Sequence, residues 1–348
     1  MIPAAALYRP HSVPWLFRAV CFAPTPHQPG DAPMGLVDAT ASLDQAAWRV
    51  APTRPPAGGA AVGDPIAARA FVVGCARSGT TLLQCLLGAH PRILTFPESH
   101  VLYHAVELPE AAPAALARFA RQAGLTDLPE TPPTPDWTPR DYAHALAALL
   151  DDATRRQGKD IWLEKTPLHL HYIEQIAAAL PDARFLHVVR DGLATVASLY
   201  GVTTAYPDHW AGRRTLQRCA ARWVADVRRS LRAAEQPGHH LVRYENLVAA
   251  PHHILRAACA FLGVEYALRM VGGHRAVARR VILPHETWKA RVRDDIALAP
   301  ARRSPILALS DDERRFVQEQ VGATQALLDT AVPLWAADVG RRESAPCG

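Results

Sequence analysis

Between Phe71 and Leu83 the sequence runs Phe-Val-Val-Gly-Cys-Ala-Arg-Ser-Gly-Thr-Thr-Leu-Leu. An apolar strand enters a short loop, and an amphipathic helix leaves it. Gly74, Gly79 and Thr81 fit the spacing Gly-x-x-x-x-Gly-x-Thr. That is the shape of a phosphate-cradling loop, in which backbone N–H groups and a helix N-terminus face an anion. A nucleoside triphosphatase places Lys after the second glycine, where it reaches the β- and γ-phosphates. Here that position is Thr80, which argues against ATP or GTP. Arg77, Ser78, Thr80 and Thr81 supply a guanidinium and hydroxyls for an anion instead. The plain alternative is an ordinary strand–loop–helix junction.

Other residues suited to chemistry follow apolar runs. Arg190 ends the run Phe185 to Val189, and Ser198 lies two helical turns further on. A guanidinium and a hydroxyl facing the same side make a phosphate-monoester pocket. Asp191 is placed to cap the intervening helix, and an Arg190–Asp191 ion pair is the structural alternative. Lys165, in Glu-Lys-Thr-Pro, is placed to neutralise charge on a leaving phosphate, or to be a solvated surface lysine. Glu98 follows Pro97 at the close of another apolar run, where a carboxylate among cations can accept a hydroxyl proton. A plain ion pair to Arg77 or Lys165 is its alternative. His100 and His104 are competing bases, and His104 fits a packed helical position better. Tyr244 and Glu245 follow a further strand, a corner where a structural tyrosine is common. Trp288 and Lys289 open a basic stretch suited to purine stacking and phosphate contact, or to a solvated loop.

Strands alternating with helices must carry these residues. Strands are expected at 70–74, 93–96, 161–164, 185–189 and 240–243. Helices are expected at 80–89, 99–128, 141–157, 169–180, from 193, at 215–235, 252–262 and 311–328, the last begun by a capping-box pattern at Ser310. Residues 128–140 read as a proline-rich loop and 264–310 as irregular and basic. This order implies an α/β fold: a single P-loop-like domain with a central parallel sheet flanked by helices. Ligands bind beyond the carboxyl ends of such strands. The domain is expected over 67–335, after a weakly structured extension at 1–66 with one short helix at 42–50, and before a tail at 336–348. Met34 is a candidate start.

Bulk properties narrow the class. The 348 residues carry a formal net charge of +5, which suits an anionic ligand but is too scattered for nucleic acid. Six cysteines without a C-x-x-C pair indicate neither a zinc site nor a disulfide framework, and reduced thiols in a cytoplasmic enzyme are expected. No apolar run is long enough for an integral membrane segment.

Three blocks in this order resemble the sulfotransferase family that uses 3′-phosphoadenosine 5′-phosphosulfate (PAPS). They are the loop from Phe71 to Leu83, the run Phe-Leu-His-Val-Val-Arg-Asp-Gly-Leu-Ala-Thr-Val-Ala-Ser-Leu, and Val-Arg-Tyr-Glu-Asn-Leu-Val followed by Pro251 and Phe-Leu-Gly. The resemblance implies PAPS as donor, adenosine 3′,5′-bisphosphate (PAP) as product, no metal, and a hydroxyl-bearing acceptor. It implies that Arg77, Ser78, Gly79, Thr80 and Thr81 hold the 5′-phosphosulfate, and that Arg190 and Ser198 hold the 3′-phosphate. From their own sequence context, and not from the resemblance, Tyr244 and Lys289 are expected at the nucleotide site as well. The approach to Glu98 through Ala-His-Pro is similar to the tyrosylprotein branch, which implies Glu98 as base, with Lys165 and Arg77 assisting transfer. The acceptor is a small molecule, lipid, carbohydrate or peptidyl tyrosine. A small-molecule kinase or an inactive nucleotide-binding protein is the alternative.

Overall fold

A computed structural model describes residues 65–125, 133–134, 136–294 and 305–334. The extension expected at 1–66 lies outside these residues except for 65 and 66, as do its helix at 42–50, Met34 and the tail at 336–348. Among the described residues a parallel sheet runs in the order β2-β3-β1-β4-β5. Its strands are β1 (Ala68–Gly74), β2 (Ile93–Thr95), β3 (Ile161–Lys165), β4 (Ala183–Val189) and β5 (His239–Arg243). The helices are α1 (Thr80–Gly88), α2 (Val101–Glu107), α3 (Ala112–Ala123), α4 (Pro139–Arg156), α5 (Ile173–Ala179), α6 (Gly192–Ala205), α7 (Leu216–Ala233), α8 (Tyr244–Ala249), α9 (Pro251–Leu262), α10 (Arg269–Val281) and α11 (Asp311–Ala331).

The central strand shows why the sheet must be covered on both faces. In β1, Phe71 and Val73 join one apolar layer while Ala70 and Val72 join the other. Alternate side chains point to opposite faces, so an unbroken apolar run needs two cores. Leu102, Leu116, Phe119, Tyr142, Leu146 and Ile176, from α2 to α5, build the first. Leu83, Leu86, Leu255, Leu262 and Met270, from α1, α9 and α10, build the second. Trp223, Val196 and Val321 bring α7, α6 and α11 together beside β4.

Local signals account for the helix ends. Thr138 and Ser310 close capping boxes with Asp141 and Glu313. Asp191 Oδ1 accepts the Ala194 N–H at 2.8 Å and so caps α6.

Three expectations need correction. The helix expected at 99–128 is two helices, α2 and α3, joined by a 3-10 turn at Pro109–Ala111, where proline removes a backbone donor. The helix at 169–180 begins as a 3-10 segment, Pro167–Tyr172. The stretch 264–310 is not irregular throughout: it holds α10 and a 3-10 helix, Thr287–Arg293. The buried face of α10 is Met270, His274, Val277, Ala278 and Val281, a helical spacing obscured by its arginines and by Gly272-Gly273. Gly273 is there for packing: a Cβ on it would lie 3.0 Å from the Ala89 Cβ at the end of α1.

Candidate active site

The ends of four neighbouring strands meet in one crevice. β1 leads into the loop from Gly74 to Gly79, β3 ends in Lys165, and β4 is followed by Arg190. β2 runs into Phe96, Pro97 and Glu98.

The loop takes its shape from three residues at positive φ, Gly74 at 144°, Arg77 at 75° and Gly79 at 101°. Gly79 is required twice over. Its φ is disfavoured for other residues, and a Cβ there would lie 2.3 Å from Cδ2 of Tyr244. Gly79 precedes α1 without any side-chain cap on the first turn. That leaves the positive end of the helix directed at the loop. Thr80 and Thr81 are buried in this first turn, and Ser78 is fully buried.

Arg190 and Arg77 bind the loop to the α6 side. An Arg190 Nη1–H donates to the Arg77 carbonyl at 3.1 Å. The Arg190 guanidinium also lies over the Tyr244 ring, 4.4 Å from its centroid. Arg77 Nε–H donates to Ser198 Oγ at 3.3 Å, and its Nη2–H donates to the Trp288 carbonyl at 3.1 Å. Burial lowers the Arg77 guanidinium to about 10; Arg190 adds to that and the Glu98 carboxylate opposes it. Two buried atoms here have no hydrogen-bond partner, Ser78 Oγ and Arg190 Nε. Both are suited to phosphate oxygens: a hydroxyl and a guanidinium N–H are donors with nothing to donate to.

A second cluster faces the first. Lys165 and Lys289 both bind Glu98 Oε1, the latter at 2.6 Å. His100 Nε2 lies 3.1 Å from Glu98 Oε2. Lys289 is bonded also to Glu286 Oε1. Burial would raise the Glu98 carboxyl, yet Lys165, Lys289 and His100 overcome it and hold the group well below the ordinary carboxylate range. The two lysines shift in opposite directions. Burial lowers Lys165, which shares one carboxylate with a competing cation. Burial opposes but does not prevent a rise at Lys289, which has the Glu286 carboxylate in addition to the shared Glu98.

The structure thus brings Glu98, Lys165, Arg77, Ser78, Gly79, Thr80, Thr81, Arg190, Ser198 and Tyr244 to one end of the sheet. Lys289 is buried beside Glu98 rather than lying on a solvated basic loop. Tyr244 packs on Gly79 and beneath Arg190, a corner role that also walls the loop. His104 is part-buried, and burial lowers it to about 4. Sequence reasoning missed Glu286 and the Trp288 carbonyl. The i,i+3 spacing of Glu286 and Lys289 was the available signal. It also missed Ser99, Thr166 and His169, which surround the buried Glu164 carboxylate.

Comparisons with known proteins agree with the sequence blocks. The sulfotransferase family profile matches residues 69–267. A putative protein-tyrosine sulfotransferase of Caenorhabditis briggsae is 24% identical over 230 residues, covering 63% of this chain and 74% of that protein. Protein-tyrosine sulfotransferase 1 of Danio rerio is 27% identical over 206 residues, covering 56% of this chain and 53% of the relative. The chain therefore spans about half the length of that zebrafish protein. Among solved structures, the sulfotransferase domain of the Synechococcus PCC 7002 olefin synthase superposes with a TM-score of 0.46 at 21% identity, covering 77% of this chain and 98% of that one. Mouse sulfotransferase SULT7A1, solved in complex with PAP, gives 0.47 at 12% identity over 81% of this chain and 90% of its own. Among the described residues no helix is long and apolar enough to cross a membrane, and no group of three or more His, Cys, Asp or Glu is placed to hold a metal ion.

Proposed function

This chain belongs to the sulfotransferase family, and from that membership we propose that it transfers a sulfuryl group from PAPS to a hydroxyl of an acceptor. One observation carries the reading: the phosphate loop lacks the lysine of a nucleotide triphosphatase, while a lysine–glutamate pair stands across the crevice from two arginines. PAPS is the donor substrate, and it matches two anionic ends to two donor sets. Ser78, Thr80, Thr81 and the start of α1 suit the 5′-phosphosulfate. Arg190, whose Nε is without a partner, and Ser198 suit the 3′-phosphate.

Glu98 accepts the proton of the acceptor hydroxyl, whose oxygen forms a bond to sulfur as the bond from sulfur to the 5′-phosphate oxygen breaks. Charge gathers on that phosphate oxygen and on the equatorial oxygens, by analogy with loose phosphoryl transfer. Lys165 and Arg77 stabilise it electrostatically, and PAP leaves with the electron pair. Lys165 and Lys289 are shared between Glu98 and the donor. As the donor's negative charge draws the ammonium groups away, the carboxylate regains basicity.

Transfer of 35S from labelled PAPS to an acceptor in a cell extract tests the reading, with identification of the labelled product. Thermal shift with PAP against ATP–Mg2+ separates it from a kinase: stabilisation by PAP and not by ATP–Mg2+ is expected. Binding of PAP without transfer to any acceptor would make the protein a nucleotide sensor instead.

A further inference from the structure

Glu98 and Lys165 are joined to each other, and the residues next to them are joined as well. Ser99 follows Glu98, and Glu164 precedes Lys165. The Glu164 side chain is fully buried. Its Oε1 accepts from Ser99 Oγ–H at 2.9 Å, from Thr166 Oγ–H at 2.6 Å and from the Ser99 N–H at 3.3 Å. Its Oε2 lies 3.0 Å from His169 Nδ1. Thr166 Oγ1 in turn accepts the N–H groups of Ser99 at 3.1 Å and His100 at 3.4 Å. His100 holds a left-handed φ of 53°, a conformation that a residue with a side chain keeps only where its surroundings impose it.

A buried carboxylate without partners is costly, so this one exists because its donors do. Two of those donors, the Ser99 hydroxyl and N–H, belong to the turn that carries Glu98, and Thr166 bonds both the carboxylate and that turn. We propose that Glu164 is a positioning residue: its carboxylate, with Thr166, locks the turn at 97–100 onto the end of β3 and so sets where Glu98 stands relative to Lys165. The proposal rests on the sulfotransferase reading for the purpose of this placement. The anchoring itself does not depend on it. A displacement of about 1 Å at a reacting group costs about a hundredfold in rate, so loosening this turn lowers turnover without touching the donor cradle.

The test uses the full chain as wild type, Ser99→Ala, Ser99→Thr and Glu164→Asp. Two readouts are taken: backbone hydrogen exchange over 97–101, and release of PAP from PAPS with 4-nitrophenol or water as acceptor. Turnover is expressed per PAP-binding site measured by calorimetry. Ser99→Ala and Glu164→Asp are expected to speed exchange over 97–101 by about tenfold or more while the loop at 74–81 is unchanged. They are expected to lower turnover per site by about ten- to a hundredfold with PAP affinity within about threefold. Ser99→Thr, which keeps the hydroxyl, is expected to restore most of both. Wild-type exchange in Ser99→Ala overturns the proposal. So does a fall in turnover that only tracks lost PAP-binding sites, since that is misfolding. A wild type that binds PAP yet releases none from PAPS counts against sulfuryl transfer, and exchange then decides the anchoring alone.

Discussion

The Lys289 ammonium lies 2.6 Å from Oε1 of Glu98, across 191 residues of sequence. Lys165 binds the same oxygen, so two ammonium groups hold the carboxylate proposed as the base. Removing one of them is informative. Lys289→Met is expected to move the Glu98 carboxyl up toward the ordinary range, because one of the groups lowering it is gone. The acid limb of the pH–rate profile then shifts to higher pH, and the KM for PAPS rises. An unmoved acid limb shows that Lys289 does not set the base.

Glu98→Gln tests the base itself. Turnover is expected to fall by about two to four orders of magnitude, the range for loss of a general base. The affinity for PAP stays within about threefold, since Glu98 is not among the residues proposed to hold PAP. Single-turnover kinetics and calorimetry on the same preparation check both halves. Undiminished transfer places the base elsewhere, with His100 the next candidate.

The same substitution has a signature in stability. Glu98, Glu164 and Asp226 are all lowered from their ordinary values, burial in each case being outweighed by cationic or hydrogen-bonding partners. A group lowered on folding adds stability that is complete above its unfolded value and lost as pH falls through its folded one. Thermal melting is therefore expected to begin falling below about pH 6.5, where unfolded histidines protonate while the part-buried His104 and the buried His187 resist it, and to fall further below about pH 4 to 5, where unfolded carboxylates begin to protonate. Glu98→Gln is expected to decline less steeply there. Equal slopes deny Glu98 a share.

Arg190→Ala separates the two ends of the nucleotide. Loss of a charged donor costs about 1.5–3 kcal/mol, or about ten- to a hundredfold in the Kd for PAP. Adenosine 5′-phosphosulfate, which lacks the 3′-phosphate, is expected to bind the variant and the wild type within about threefold of each other. A parallel loss for both ligands shows that Arg190 acts by supporting the Arg77 carbonyl and Tyr244 instead.

Gly79→Ala is expected to abolish measurable PAP binding. The added Cβ meets the Tyr244 ring in a left-handed backbone that itself costs about 1–2 kcal/mol for a residue with a side chain. Tyr244→Ala in the same chain removes the collision but not the backbone cost, so partial recovery in calorimetry is the expected result.

Much of this arrangement was legible before any coordinates. Arg77, Glu98, Lys165 and Arg190 each stand where an apolar run stops, and a parallel sheet gathers such positions at one edge. The helix over 269–281 was not, because arginines and paired glycines obscure the spacing of its buried residues. The pairings of Lys289 with Glu98 and of Glu164 with Ser99 were not either: each joins residues distant in sequence, and the Ser99 turn lies beyond another strand. Pairings of this kind are made by tertiary packing, to which local patterns are blind.

The match to the family stops at residue 267, yet Glu286, Trp288 and Lys289 all lie past it and reach back into the crevice. The region shared with the family therefore leaves the chamber with one wall missing, and the later segment closes it. Exchanging residues 269–294 between relatives would therefore disturb the surroundings of Glu98 and of the Arg77 guanidinium together.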